Sequence, residues 1–399
     1  MSARAPGRLL LAATVLVVAS NLRPAITVVG PLLETIGADT GMSPTRLGLL
    51  GAIPVIAFGL VSPLANILAG RFGTERTIFV ALLLLTGGTL LRSAPENLVL
   101  STQASLFLGT MLLAGAMGVG NVLLPAVVRR DFPDRVPLMT GVYTATLVAA
   151  AATFSAAAVP LGSALGWQGG LATPALMALL GAGAWQLRRS RRPPSSAPTA
   201  QAEPDSGGRT SVLRQALAWQ VTLFFGLQSS LYFVLLTWFP AVQTWHGAEE
   251  APAGYWLGVF QAVGVAGSLT VGQLMQRAWN QQLIAAAVPA VMITGLVGMI
   301  ALPALMPVWA VVAGLASGSL LMLGLSFISL RSASPAQVSS LSGMVQGFGY
   351  LLAAGGPVLA GMLYEAAESW TPVLWTMVGL ATLLLVVGLY AGRSVQLRR

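Results

Sequence analysis

Arg23 is the residue whose chemistry fits its place least. It sits about 14 residues, or roughly 21 Å at 1.5 Å per residue, into an apolar stretch at 9–34. That depth is near the middle of a bilayer core about 30 Å thick. A guanidinium there costs on the order of 2.5–3.5 kcal/mol on insertion scales, so something must offset it. No acid lies within a turn, and Glu34 is eleven residues on. We expect Arg23 to face an internal cavity. There its planar fork can hold a carboxylate-like or other planar anion through two parallel hydrogen bonds. The alternative is a structural arginine bonded to helix-end carbonyls or to polar groups of a neighbouring helix. Pro24 removes a backbone donor directly after it and loosens the helix.

Neutral polar residues recur in otherwise apolar stretches. Ser20 shares the face of Arg23, and Asn21 lies within the same turn. Asn121 and Gln261 are lone amides, and Tyr143 falls near the start of its stretch. Gln228 and Tyr232 are four residues apart, as are Gln346 and Tyr350, so each pair shares one helix face. Amides and hydroxyls orient a polar solute without trapping it. Each alone could equally make an interhelical bond. Together with Arg23 they form the expected substrate-binding set.

The absences narrow the chemistry. There is no Cys and one His, His246, so a metal centre, a disulfide framework and a Cys nucleophile lose their usual ligands. The glycine-rich runs carry no nucleotide fingerprint. We find no catalytic dyad, and read the chain as a non-enzyme without cofactor or metal. No Asp or Glu falls in mid-stretch; Glu34, Glu249, Glu250, Glu365 and Glu368 all lie near one surface. A proton-driven carrier usually keeps a carboxylate or His within the membrane. Facilitated diffusion, exchange, or co-transport in which the anion brings the proton fits better.

The elements that must position these residues follow from composition. The chain has 399 residues, 55% hydrophobic and 8% charged, against about 25% charged in soluble domains. A water-soluble globule is excluded. Twelve apolar stretches are long enough to span: 9–34, 46–68, 77–93, 98–127, 137–162, 169–187, 216–245, 253–275, 283–303, 307–330, 339–363 and 371–391. Backbone groups in lipid must bond internally, so these are helices. The expected fold is an all-α membrane protein with twelve transmembrane helices in two pseudo-symmetric six-helix bundles.

All 21 basic residues are Arg, and the net charge is +9. With both termini cytoplasmic, 18 of the 21 fall on the cytoplasmic side; Arg46 and Arg92 lie outside and Arg23 within a helix. The basic charge is therefore a topology signal and implies no nucleic-acid partner. A Pro- and Ser-rich break at 188–215 reads as a cytoplasmic linker, dividing an N-terminal bundle, 1–187, from a C-terminal bundle, 216–399. The halves repeat. Arg129 through Gly141 overlays Arg331 through Gly343 at an offset of 202, with Arg, Pro, Val and Gly coinciding. A weaker match sets Ser20-Asn21-Leu22-Arg23 on Ser229-Ser230-Leu231-Tyr232, with Pro31 on Pro240. Such duplication marks secondary transporters whose site lies between repeats.

Two such halves and a central linker resemble the major facilitator superfamily. Asn21-Leu22-Arg23-Pro24-Ala25 with Gly30-Pro31-Leu32-Leu33, and Gly118-Val119-Gly120-Asn121-Val122-Leu123-Leu124-Pro125 continuing to Arg129-Arg130-Asp131-Phe132-Pro133, are similar to the cyanate/2-nitroimidazole transporter family. The loop after the second helix keeps Arg71, Gly73 and Arg76 of the superfamily signature, but has Asn66 and Gly70 where Gly and Asp are expected. With Arg129 and Arg331, those three form an expected cytoplasmic gate and loop motif. The resemblance implies alternating access through one central cavity lined by helices 1, 4, 7 and 10, in a monomer of the inner membrane. The implied cargo is a small polar or anionic solute, cyanate-, nitrate- or carboxylate-like. A polyspecific drug exporter of the same fold is the other reading; it would usually carry a membrane acid.

Overall fold

The computed structural model describes residues 7–95, 100–190, 212–277 and 281–397. Apolar runs with internally bonded backbones give helices throughout, and the described residues contain no strand. The first crossing is broken into α1 (Arg8–Ser20), α2 (Pro24–Thr27) and α3 (Val29–Thr40). Next come α4 (Pro44–Phe72), α5 (Thr74–Arg92), α6 (Thr102–Asp131) and α7 (Val136–Ser190). The second half contains α8 (Ala216–Trp245), α9 (Glu250–Arg277), α10 (Gln281–Ala301), α11 (Met306–Leu330), α12 (Pro335–Ala367) and α13 (Trp370–Ala391).

Eleven segments are long and apolar enough to span, and one of them is two crossings. A straight α7 of 55 residues would reach about 80 Å, more than twice the bilayer core. It folds back at Gly166, whose φ of 73° and ψ of 160° no helix accommodates. Gly170 then lies against Gly162 across the turn. This is the gap between the expected fifth and sixth stretches, so twelve crossings form the two six-helix bundles. The α7 helix runs on to Ser190, so Arg188 and Arg189 belong to the sixth crossing rather than to the linker. Most of the expected linker, 191–211, lies outside the described residues.

Serines start several helices. Ser101 Oγ accepts from the Ala104 amide, Ser334 from Gln337 and Ser369 from Thr371, each filling an orphan donor of a first turn. Arg8 and Ala391 begin and end the crossings at one end of the bundle, the near end; the other is the far end. Large apolar residues such as Leu64, Ile67, Leu176, Leu180, Leu269 and Leu359 stay exposed on the outside, as a lipid-facing surface requires.

Two helix pairs make most of the contact between the halves, α4 with α12 and the first limb of α7 with α9, to which α3 adds against α8 and α9. Their far ends meet backbone to backbone because the contact positions are glycine. A Cβ on Gly48 or Gly361 would run into the carbonyls of Pro357 or Pro44, and one on Gly258 would stand 2.8 Å from the Ala152 oxygen. Glu365 of α12 accepts from both the amide (3.1 Å) and the hydroxyl (2.6 Å) of Thr45, in the first turn of α4. The Thr244 hydroxyl likewise donates to Glu34 at 3.0 Å. Toward the near end, Gly141, Gly343 and Gly347 have open space beside them. The contacts between the halves named here thus run from the middle of the bundle to its far end.

Candidate functional site

Crossing 1 loses its helix at 21–23. The Asn21 and Leu22 amides tighten onto Val18 and Ala19, three residues back, and Pro24 starts a new helix at its first position. Arg23 is left between them at φ −139°, as the cap of α2. A broken helix at mid-membrane depth is tolerated where it lines a cavity. The partly buried Arg23 side chain points across to the second half. Its Nη1 makes a long hydrogen bond of 3.4 Å to the Tyr232 hydroxyl, and its guanidinium carbon lies 5.8 Å from that ring's centre. The buried Nε has no hydrogen-bond partner among the described residues.

Arg23 and Tyr232 are 209 residues apart, the offset of the weaker sequence repeat. Corresponding residues of the two halves therefore touch each other at the centre, as they do where a pseudo-two-fold axis passes. Tyr350 of α12 lies within electrostatic reach of both. Aromatic rings enclose the cluster. Phe225 meets Tyr350 edge-on at 5.3 Å, Phe58 at 6.1 Å, and Phe260 stacks on Tyr232 at 6.2 Å. The result is one cation and two phenols inside an apolar aromatic wall, suited to a flat solute with a negative edge.

Other expected site residues lie around or away from this cluster. Gln228, one turn from Tyr232, is buried and donates to Ser229 Oγ at 2.6 Å. Gln346, one turn from Tyr350, donates to Ser342 Oγ at 2.9 Å. Gln261, beside Phe260, is buried, and its Nε2 has no partner among the described residues. Ser20 and Asn21 both bond back to the Val17 carbonyl, at 2.9 and 2.7 Å, and the Asn21 amide lies against Gly181 of the sixth crossing. Asn121 is partly buried on α6. Tyr143 sits toward the near end, within electrostatic reach of Arg129.

The expected gate residues are not gathered in one place. Gly73, at φ 82°, makes the turn between α4 and α5; Arg71 rests over the Phe72 ring, and Arg76 and Arg129 are exposed. Arg331 is buried inside its own half, donating through Nε to the Ala391 carbonyl at 2.9 Å and through Nη2 to Gln281 Oε1. The acids at the near end of the first half, Glu75 and Asp131, are held by Arg130 and Arg188. Sequence reasoning missed this cluster because it read Arg188 as the start of the cytoplasmic linker. It also placed Arg92 on the outer side, whereas the side chain is wholly buried against Ala25 and Leu171.

The model of the Major Facilitator Superfamily matches residues 15–354. The chain belongs to the major facilitator superfamily. Within this superfamily it is 39% identical over 392 residues to the 2-nitroimidazole transporter of Escherichia coli K12, covering 98% of this chain and 97% of that one. It is 30% identical to the cyanate transport protein CynX of the same organism, over 88% of each chain. A solved bacterial homologue of the human lysosomal transporter Spinster, in an inward-facing and unoccupied conformation, superposes with a TM-score of 0.79 at 15% identity, over 98% of both chains. The facilitator fold, the transport class and the multi-pass membrane location follow.

Proposed function

We propose that this facilitator moves a small planar anion or strongly polar solute across the inner membrane by alternating access, with Arg23 as its central contact. The observation that carries the reading is the Arg23 guanidinium itself. It stands at mid-membrane between the two halves, and among the described residues it has one long bond, to a neutral phenol, and a buried N–H unfilled. A cation so placed lacks a counter-charge, and a bound anion supplies it. The named substrates of the relatives, 2-nitroimidazole and cyanate, are flat or linear and fit an Arg–Tyr–Tyr centre between aromatic walls. The Ser20, Asn21, Asn121, Tyr143, Gln228, Gln261 and Gln346 side chains are secondary contacts in this reading.

The distribution of Arg supports a cytoplasmic near end. The contacts between the halves then lie from mid-membrane outward, which fits an inward-open state, and the outward state arises when the glycine contacts, Thr45–Glu365 and Thr244–Glu34 part. The test is uptake of labelled cyanate and benzoate, with neutral formamide and benzamide as controls, into proteoliposomes. Arg23→Ala is expected to raise the anion KM at least about tenfold, the loss of a hydrogen bond to a charged group. The amides should change little. Unchanged anion uptake in the variant removes Arg23 from the site. Transport of bulky cationic dyes in place of small anions would favour the exporter reading.

A further inference from the structure

Arg92 is a second transmembrane guanidinium with no acid bonded to it among the described residues. It reaches in from the far end of α5 and is wholly buried. Its Nη1 donates to the Ala25 carbonyl at 2.5 Å and its Nη2 to the Leu171 carbonyl at 3.1 Å, while its Nε has no partner among the described residues. Arg188, equally buried, is answered by two carboxylates. Ala25 lies two residues past Arg23, so the two guanidiniums flank the break in crossing 1, Arg92 coming from its far side.

A small cavity lies between the halves at this point, walled by Gly30, Gly51, Pro54, Arg92, Thr110 and Thr237 among others. Thr110 is 1% exposed, and its hydroxyl has no partner either. Two unfilled polar side chains on one cavity are a costly arrangement unless something fills them. Here the cavity holds about 10 Å³, room for about one water. It is this small because the second half closes onto it: a Cβ on Gly51 would stand 2.5 Å from Thr237 Oγ1, and one on Gly30 as near the Leu236 carbonyl. Parting of the far ends takes away that wall and leaves Arg92 and Thr110 facing the gap.

We propose that this cavity is a second anion site, on the far side of the break and in series with Arg23. It takes a small linear or trigonal monoanion, or the carboxylate head of a larger one, between Arg92 and the Thr110 hydroxyl when the far ends part. The anion is then handed past the break to Arg23. The proposal rests on the anion-transport reading above.

Right-side-out and inverted membrane vesicles holding the full chain separate the two directions of uptake, with labelled cyanate and benzoate as probes. Thr110→Val keeps the shape and removes only the hydroxyl. It is expected to raise the KM for uptake from the far side about tenfold, one lost hydrogen bond to a charged group. The KM from the near side and the thermal stability in detergent should be unchanged. Arg92→Lys, which keeps the charge but not the fork, should show the same one-sided effect. Thr110→Val with normal KM in both directions, or an equal change in both, overturns the second site and leaves the Arg23 reading standing. A wild type that moves neither anion overturns both. If Arg92→Lys fails to accumulate in the membrane, Thr110→Val still decides the matter.

Discussion

In the first half of the molecule, Arg188 donates to Glu75 at 3.0 Å and to Asp131 at 2.5 Å beneath the Trp185 ring, and Arg130 bonds the same two acids at 2.5 and 3.0 Å. In the second half, Arg331 donates to the Gln281 side chain and the Ala391 carbonyl, neither of which carries charge. The places correspond. Glu75 and Gln281 lie in the first turn of the third helix of their halves, Asp131 and Arg331 end the fourth, and Arg188 and Ala391 lie at or near the end of the sixth. The same three helix ends are tied in both halves, once by ions and once by a lone cation on neutral acceptors. Burial pushes the Arg331 guanidinium below its ordinary pKa, with no neighbouring acid among the described residues to hold it up. The centre repeats the pattern, Arg23 from the first half against neutral Tyr232 from the second. The same helix ends meet in both halves, but the ion pairs lie in the first half alone among the described residues.

The comparison breaks most readily at Arg188. Arg188→Leu leaves two buried or half-buried carboxylates short of a cation, which typically costs about 3–5 kcal/mol. We expect a large fall in the unfolding midpoint in detergent. Glu75→Gln and Asp131→Asn added to the same chain should restore much of it, because the only charge then left over, on Arg130, is 37% exposed and can be hydrated, whereas the acids are more buried. A fall that persists in the triple variant would mean that packing under Trp185, and not charge, holds these helix ends.

Much of the architecture was legible from the residues because lipid leaves the backbone few choices. Twelve long apolar stretches could only be helices, and the short gap between 162 and 169 could only be a turn, which Gly166 makes. The depth of Arg23 was legible for the same reason. What depth does not give is direction around the helix axis. Arg92, at a helix end, could have faced headgroups; it turns inward, where the Ala25 and Leu171 carbonyls accept from it. Arg188 looked like the start of a linker because the charge run begins there, yet the helix continues a further half-turn and buries it. Pro24 signalled a loosened helix, but the break falls just ahead of it, at 21–23. Arg331, matched to Arg129 by the repeat, turned out to tie its own half.

A middle-sized effect is expected at Arg331. Arg331→Leu removes two hydrogen bonds to neutral acceptors but also a buried cation without a counter-charge. The bonds come from a charged donor, at about 1.5–3 kcal/mol each, but removing the cation also removes the cost of burying it, so the net loss is less than their sum. The unfolding midpoint should fall clearly less than for Arg188→Leu. Equal losses would mean that the neutral tie is as strong as the ionic one and that the contrast between the halves has no energetic content.

The smallest effect sharpens the contrast by converting one half toward the other. Gln281→Glu places a carboxylate where Arg331 already donates, at the position that Glu75 occupies in the first half. Gln281 is only partly buried, so the gain should resemble a partly exposed ion pair, about 1 kcal/mol or less. Its pH dependence gives the sign. A carboxylate paired with a guanidinium has its folded pKa lowered below the unfolded value near 4.3. The unfolded state then binds the extra proton first, so the gain is present above that pH and is lost as the pH falls through the folded pKa. Midpoints of wild type and variant should therefore differ at pH 7 and converge on acidification. A variant less stable than wild type at pH 7 would mean that desolvating the new carboxylate outweighs the pairing, and that the second half keeps a neutral tie because its site is too dry for an ion pair.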